Sequence, residues 1–572
     1  MQSKIASIYM GENVELATLQ NGAITNAKGQ EQLRQALYME PQIEKVVPGV
    51  TVFGGFAFVN FTLIEGKDGL IVYDAGENLS EGESLLEEIR KVSDKPIVAI
   101  IYSHSHYVHG TSAIVGDAHD VLIIGHPKVN ANADSRGSSY YEEMSPLQKS
   151  RAGQQFARLL PKTGPMAAAG ANIIVGRSGY RPVNTPVEDG QRMTVAGVEM
   201  VFYTSYGSDT DDCLTVHLPQ HGVVLNNLFW PFLPNIYTLR GAKFRDPAEW
   251  HKGLELIRDL QPDVLINTHA KTIRGASAVN EALGNFIDTL RAILDQTLRG
   301  ILHGLGPDDL RTFVRLPRHL AELPYLAETY GELAHYGPYI YNHALGWFDG
   351  DAATINPLSK SEEADLLVQA MGGARLVLEK ARSAFAAKQF SWAAQLVNYL
   401  YRMTPSDRAV RSLKADVLEQ MGRVTPAQTT RNWYMSQARA LRGDLIIPQL
   451  AFLDEAILSG WSAADTMSHY RVRVDPEKSA DKDVMVAMSI ADRGVRHAWH
   501  LRRGVVEFIE DVDAYRRAPH HEIRSTLSNW LKFFSCRISQ NEFLSNCVVA
   551  PGDEDSIGAF FASFDDLGQT IV

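Results

Sequence analysis

Three imidazoles fall within six residues in Ser103-His104-Ser105-His106-Tyr107-Val108-His109-Gly110. This stretch directly follows an apolar run, Pro96-Ile97-Val98-Ala99-Ile100-Ile101-Tyr102, which reads as a buried strand. Side chains two apart on an extended segment point the same way, so His104 and His106 aim together. His109 then sits on the turn into a following helix. Imidazole is the commonest protein ligand for zinc, iron and copper, and a metal site needs neutral donors converging in space. The plain alternative is a polar loop with chance histidines. With 18 histidines in 572 residues, three at one strand end favour the metal.

A chain of 572 residues exceeds one hydrophobic core and predicts two to four domains. A formal net charge of -12 argues against a nucleic-acid binder, which needs a basic face. Cys213, Cys536 and Cys547 are too far apart for a disulfide framework or a paired-cysteine metal knuckle. No apolar run reaches the length of a membrane span, and Met1 to Ala6 opens no export signal. A reduced, cytoplasmic protein is expected.

Strand signals begin at Val46-Val47, Val50 to Phe53 and Phe58 to Ile64. Leu70-Ile71-Val72-Tyr73-Asp74 is an apolar strand ending in a carboxylate. Ser80 to Val92 has an amphipathic helical pattern and leads to the strand before the histidines. Hairpins running into strand–helix–strand units predict a layered α/β domain. Val121 to Gly125, Met193 to Val195, Val198 to Tyr203, Leu214 to Leu218, Gly222 to Asn226 and Val264 to Asn267 continue it, the last ending at His269. The excursion from Ala131 to Gly170, with Tyr140, Tyr141 and a helix near Leu147 to Leu160, is too long for a plain connector and reads as a lid or substrate-binding insertion. From Ala276 helical periodicity takes over, with helices near 279–301, 361–387, Trp392 to Met403 and Asp407 to Met421. Around Ala384 to Ala394 the small-and-aromatic spacing matches a tetratricopeptide-like helix pair, which needs a further surface to cover it. The tail reads as strands at Tyr470–Val474, Asp483–Ile490, Arg496–Leu501 and Gly504–Ile509, with helices near 522–533 and 557–563. No glycine-rich phosphate loop occurs.

The order of an aspartate-ending strand, a His-x-His-x-x-His turn and a later strand-end His269 resembles the metallo-β-lactamase superfamily. Within it the chain resembles the alkylsulfatases, through Asn235-Ile236-Tyr237-Thr238-Leu239-Arg240-Gly241-Ala242, Tyr341-Asn342-His343-Ala344-Leu345-Gly346-Trp347-Phe348-Asp349-Gly350, Met371-Gly372-Gly373-Ala374 and Arg431-Asn432-Trp433-Tyr434-Met435. The resemblance runs from about residue 40 to the C-terminus. It implies a metallo-β-lactamase αββα sandwich (1–275), an all-α dimerisation domain (276–445) and a small α+β, sterol-carrier-protein-like domain (446–572). A homodimer is therefore expected.

The same resemblance implies a first zinc on His104, His106 and Asp209. It implies a second on the motif's carboxylate position, here Val108, with His109 and His269. A glutamate that bridges the two metals falls at Asn227. Two dications a few Å apart repel, and bridging carboxylates normally offset that repulsion. Val108 donates nothing and Asn227 offers only a neutral carbonyl, so the second site is the weaker. Two histidines and one carboxylate with open positions suit mononuclear zinc and equally non-haem iron, with manganese a further option. Asp211, Asp212 or Cys213 is near enough in sequence to substitute as a ligand. Asp74 reads as an orienter of the histidine turn.

An arginine holds the sulfate in the family, which points to Arg240. For Arg240 and Arg245 the plain alternative is a structural salt bridge. Tyr341, Asn342 and His343 are candidates for the same substrate pocket. Asn227 to Pro234 is more aromatic than the family string and reads either as an apolar pocket or as core. The expected function is a metal-dependent hydrolase acting on a small amphiphilic substrate with an anionic head, through a metal-bound hydroxide. His109 and His269 would hold a second metal or assist the leaving group. Two alternatives remain open at this level: a mononuclear iron enzyme doing oxidative or lyase chemistry, and a non-catalytic lipid-binding protein.

Overall fold

The computed structural model describes residues 8–10, 13–133, 141–170, 176–451 and 461–567. The chain forms two compact units. The first is Met1–Ser138 with Gly153–Leu445, and the second is Ser139–Ala152 with Ile446–Val572.

The first unit is built on two sheets. One has seven strands in sequential order: β1 (Gln42–Val47), β2 (Val50–Gly54), β3 (Phe61–Glu65), β4 (Leu70–Tyr73), β5 (Ile97–Ile101), β6 (Leu122–Gly125) and β7 (Thr185–Pro186). The other has six, again sequential: β8 (Arg192–Val195), β9 (Val198–Tyr203), β10 (Thr215–Leu218), β11 (Val223–Asn226), β12 (Val264–Asn267) and β13 (Ile273–Arg274). Alternation along the strands builds the space between the sheets. Val52, Ile64, Ile71, Tyr73, Ala99 and Ile101 of the first meet Met200, Phe202, Val216, Leu218, Leu225 and Ile266 of the second in one buried cluster. The opposite faces, Val72 and Ile100 on one sheet and Val224 and Leu265 on the other, belong to a second cluster made with flanking helices. This is the expected αββα sandwich.

Helix α1 (Ala27–Ala36) precedes the sandwich. Helix α2 (Leu79–Val92) starts where the Asn78 side chain accepts from the Glu81 N–H, and it buries Leu85 and Ile89. A single turn, α3 (Thr111–Val115), follows the histidines. Helix α4 (Pro247–Asp259) is capped by Asp246 with proline at its first position. It packs its Trp250, Leu254 and Ile257 with Val279, Leu283, Phe286 and Leu290 of α5 (Ala276–Leu302). Helix α5, expected to open the helical domain, thus shares the core of the sandwich, as does α6 (Tyr336–Leu345) through Ile340 and Tyr341.

Helices α7 (Lys360–Ala370), α8 (Ala374–Ala386), α9 (Phe390–Met403), α10 (Arg408–Val424) and α11 (Gln428–Arg442) form an antiparallel stack with its own core. The expected continuous helix at 361–387 is two helices. Gly372 and Gly373 adopt φ of 96° and 91° between them, which only glycine does without strain. The paired helices find their cover within the stack and against Tyr9, Val14 and Met166.

The second unit centres on a five-stranded sheet, β14 (Asp483–Ile490), β15 (Val495–Arg502), β16 (Val505–Ile509), β17 (His521–Ser525) and β18 (Val548–Val549), in the order β16-β15-β14-β17-β18. An aromatic core of Tyr470, Trp499, Trp530, Phe534, Phe543, Phe560 and Phe561 fills one face. Two expectations are corrected here. Residues 470–474, expected as a strand, end helix α12 (Ala463–Tyr470) and continue as a tight turn of helix, which the Ser462–Asp465 capping box initiates. The expected helix at 522–533 begins as strand β17 and becomes helix α13 (Leu527–Phe534) only after the Thr526 cap. The excursion expected as one insertion is divided, with Ser139–Ala152 in the second unit and the remainder in the first. Tyr141 is 74% exposed, and Tyr140 lies outside the described residues. No helix among the described residues is long and apolar enough to cross a membrane.

Candidate metal centre

β4 and β5 run parallel with Tyr73 opposite Ile101, so Asp74 and the histidine turn leave the sheet at the same edge. Asp74 takes φ of 65°, and its Oδ1 accepts from the Ser103 N–H at 2.8 Å. The Ala75 N–H donates to Tyr107 O at 2.8 Å and the His109 N–H to Gly76 O at 3.0 Å, closing the turn from the other side. In the second sheet β11 and β12 are parallel, with Asn226 opposite Asn267. Asn227 and His269 therefore emerge together. Asn226 secures both exits: its Oδ1 accepts from Leu228 and Phe229, and its Nδ2 donates to Ile266 O and Asn267 Oδ1.

His104, His106 and Asp209 converge, with one ligand atom from each lying within 4.8 Å of the others. Among the described residues this is the one such group. His104 Nε2 stands 3.0 Å from His106 Nδ1 and 4.0 Å from Asp209 Oδ1, and His106 Nδ1 lies 3.3 Å from Asp209 Oδ2. Ligands about 2.0–2.2 Å from one dication stand roughly 3 Å apart, so the group has the size of a metal site. The Ser103 hydroxyl meets His104 Nδ1 at 2.8 Å, leaving Nε2 for the cluster. Asn227 Nδ2 donates to Asp209 Oδ1 at 2.9 Å, while its own Oδ1 is buried without a partner. His106, 31% exposed in its side chain, is the member that opens outward.

The charge states suit a cation. Burial pushes His104 down to about 3, against the pull of Asp209, so its imidazole is neutral. Burial alone would raise Asp209, but His104 and His106 outweigh it and hold the carboxylate well below its usual range. The neutral His104 imidazole and an ionised Asp209 carboxylate, with His106 beside them, make a competent donor set for a divalent metal. The residues present fit one ion.

They do not fit a second. Val108 is fully buried in apolar surroundings. His109 turns its Nδ1 to Ser178 Oγ at 2.7 Å. His269 is enclosed by the rings of Phe58, Trp230 and Tyr107, with centroids at 4.5, 4.6 and 5.2 Å. Its Nδ1 faces Phe58 O and its Nε2 faces the Tyr107 hydroxyl, each at 3.3 Å. Burial pushes His109 and His269 each to about 4, and neither joins a group of three or more converging ligand atoms among the described residues. The neighbours proposed as substitutes do other work. Asp211 meets Lys128 and Asn132, Asp212 accepts from the Ser105 N–H, and Cys213 is a buried thiol pushed up to about 11 by burial.

Arg240 lies beside the cluster. Burial lowers its pKa, Asp209 is among the charges it feels, and no ion pair is formed by it among the described residues. Its Nε is buried without a partner, and its backbone N–H is held by Gln155 Oε1 at 2.9 Å. Arg240 and Arg158 both stand over the Phe156 ring, at 5.9 and 5.5 Å. Arg245 is structural, donating to Asn235 O at 2.6 Å. Of the aromatic run, Phe229, Trp230 and Phe232 are all buried, Trp230 against His269 and Phe232 stacked on Tyr330 at 4.6 Å. Tyr341, Asn342 and His343 are not brought to the centre. Tyr341 is buried and donates to Phe348 O, while Asn342 and His343 lie exposed on α6, His343 stacked on Phe244 at 3.5 Å.

Three residues of the site escape sequence reasoning. Glu77 has a buried, unpartnered Oε2, and burial with Glu81 raises it to about 8 against the pull of Arg158 and Arg240. Arg158 and Tyr330 join it there, Tyr330 pushed up to about 12 by burial despite Arg240 and Arg245. The position of Glu77 in a strand-end loop was a signal; Arg158 and Tyr330 carried none.

An αββα sandwich with a His-His-Asp centre at its strand ends is a metal-dependent hydrolase of the metallo-β-lactamase type. The metallo-beta-lactamase superfamily matches residues 54–151, and the alkyl sulfatase dimerisation family matches residues 306–444. The linear primary-alkylsulfatase of Pseudomonas sp. (strain ATCC 19151) is 33% identical over 537 residues, spanning 88% of this chain and 98% of its own. The alkyl/aryl-sulfatase BDS1 of Saccharomyces cerevisiae is 32% identical over 553 residues, spanning 92% and 83%. The chain belongs to the alkylsulfatase family. The sec-alkylsulfatase Pisa1 from Pseudomonas sp. shares its fold, with a TM-score of 0.76 at 23% identity over 98% of this chain and 93% of that one.

Proposed function

We propose that the protein hydrolyses sulfate monoesters of alcohols with a single zinc ion held by His104, His106 and Asp209. The observation that carries the reading is the convergence of those three ligand atoms within 4.8 Å beside an arginine that forms no ion pair among the described residues. A dication there supplies Lewis acidity and lowers the pKa of a water molecule. Water adds across the ester, giving the alcohol and hydrogensulfate.

The chain's own residues divide the remaining work. The Arg240 guanidinium, desolvated and without an ion pair among the described residues, receives the sulfate, whose oxygens match its planar fork. Asn227 holds Asp209 through Nδ2 and presents its free Oδ1 as a neutral acceptor. Ser103 fixes the His104 tautomer, and Asp74 and Asp212 hold the backbone of the turn. Phe58, Trp230 and Tyr107 keep water from His269. We assign self-association as a homodimer to the helical segment 276–445. The exposed Leu345, Trp347 and Leu358 support this, since apolar surface of that size favours burial against a second copy.

The test is metal analysis of protein purified without added metal, with release of inorganic sulfate from a panel of alkyl and hydroxyalkyl sulfates. About one zinc per chain and sulfate release are expected, and Arg240→Ala should raise KM by roughly 10–100-fold. Iron as the bound metal, or no sulfate from any member of the panel, overturns the reading.

A further inference from the structure

Two guanidiniums share one aromatic ring beside the metal centre. Arg240 Cζ stands 5.9 Å from the centroid of Phe156, and Arg158 Cζ stands 5.5 Å from the same centroid. Arg240 is the more enclosed of the two, and Arg158 lies exposed. Neither side chain makes a hydrogen bond or an ion pair among the described residues. Burial lowers Arg240, and the charges of Arg245 and Arg158 lower it further. The carboxyls nearby do not neutralise the pair. Asp209 serves the two histidines, and Glu77 is raised to about 8 by burial and by Glu81, against the pull of Arg158 and Arg240. Like charges gathered without a counter-ion repel, and a bound anion removes the repulsion.

The backbone holds Arg158 in that place. The helix Ser145–Gln155 ends in a Schellman turn, with the Arg158 N–H donating to Gly153 O at 3.0 Å and the Ala157 N–H to Gln154 O at 3.3 Å. Ala157 takes φ of 58° to close the turn, a left-handed conformation that usually falls to glycine. The turn lays Arg158 back over the ring two residues before it. Backbone strain of this kind gathers at binding and active sites.

Resting on the sulfatase reading, we propose that Arg158 is a second guanidinium for the anionic head, so that the sulfate is gripped between Arg158 and Arg240. One planar fork takes two oxygens, and a sulfate ester presents three terminal ones. Arg240 meets the head from within, and Arg158 closes on it from the solvent side. The rival account makes Arg158 the ion-pair partner of Glu77, with no part in binding.

Calorimetric titration of inorganic sulfate into the zinc-loaded full chain reads the head site without turnover. Arg158→Ala should weaken sulfate binding by roughly tenfold. It should raise KM for an alkyl sulfate to a similar extent, with the loss falling on KM rather than kcat. The melting temperature should stay in place, because the side chain removed is exposed. Arg158→Lys keeps the charge without the fork and should recover part of the affinity. Unchanged sulfate affinity and KM in Arg158→Ala overturn the inference, as does a wild-type chain that binds no sulfate. Sulfate binding that tightens roughly tenfold in Glu77→Gln also overturns it, since Glu77 is then ionised and paired with Arg158. If sulfate binds and Arg158→Ala weakens it while no ester is hydrolysed, the anion clamp stands and the sulfatase reading falls. If esters are hydrolysed and Arg158→Ala moves nothing, the sulfatase reading stands and the clamp falls.

Discussion

Asp209 reaches the histidine turn from the loop between β9 and β10, and three side chains far apart in sequence set its position and charge. His104→Ala and Asp209→Asn each remove one ligand and leave the scaffold intact. Metal content should fall from about one ion per chain to under a tenth, read by elemental analysis after dialysis against a weak chelator. Asp74 offers a test of a different kind. Burial raises its carboxyl to about 8, partly opposed by hydrogen bonds from Ser103. In the unfolded chain it ionises near 4, so between about pH 4 and 8 the folded state holds a proton that the unfolded state has lost. Stability of the metal-free protein should therefore fall as pH rises through that window and level off above it. Asp74→Asn keeps an acceptor for the Ser103 N–H and removes the proton, so the melting temperature should lose most of that decline. An unchanged slope would show that Asp74 is ionised in the folded state.

At the scale of elements, the metal turn is held by close backbone approach. A Cβ on Gly110 would lie 2.0 Å from Ala75 O and 3.0 Å from Gly82 Cα, and one on Gly82 would lie 2.3 Å from Gly110 O. Two backbone segments pack through paired glycines, with no flexible side chain to give way. Gly110→Ala should push α2 away from the turn, costing about 1–3 kcal/mol in denaturant unfolding, with a matching loss of metal affinity. Gly284→Ala in α5 is the control, since nothing stands within 4 Å of its Cβ, and it should be neutral or slightly stabilising. Elements were also where sequence reading succeeded most and failed most specifically. The strand before the histidines, α2 and α5 follow from apolar spacing, and the start of α2 from its Asn78 cap, all acting within a few residues. Residues 470–474 alternate like a strand, but 470–473 are helical and only Val474 forms a bridge, because the Ser462 capping box and burial of Tyr470 in an aromatic core outweigh local pattern. Tyr341, Asn342 and His343 sit together in a specific string, yet α6 buries its Ile340 and Tyr341 side and turns the next two residues outward.

At the scale of the molecule, metal binding and folding belong to one of two compact units. An ion that binds only the folded first unit stabilises it by mass action, about 2.7 kcal/mol at a hundred times its dissociation constant. Adding a chelator should lower the melting of that unit and leave the transition of the second in place, resolved by calorimetry with and without zinc. A single transition shifting as a whole would contradict this. The second unit also depends on Ser139–Ala152, through the Arg471–Glu143 pair at 2.6 Å and the bond from Ser150 Oγ to Pro448 O. A fragment starting at residue 446 should accordingly melt below the same unit in the whole chain.

By itself, the sequence determined what local chemistry can determine: the layered α/β class, the buried strands, and a histidine turn able to hold a metal. Resemblance extended that to the family and to Asp209 as the carboxylate that meets the turn. Val108 was already legible as the residue that cannot bind a second ion. Only the tertiary structure decided that His269 is enclosed by aromatic rings and that Glu77, Arg158 and Tyr330 border the centre. That border draws on segments from Glu77 to Tyr330, and no spacing along the chain records their meeting. Periodicity is a property of neighbours, whereas convergence depends on sheet register and on how distant helices pack, and these are set by the whole core at once.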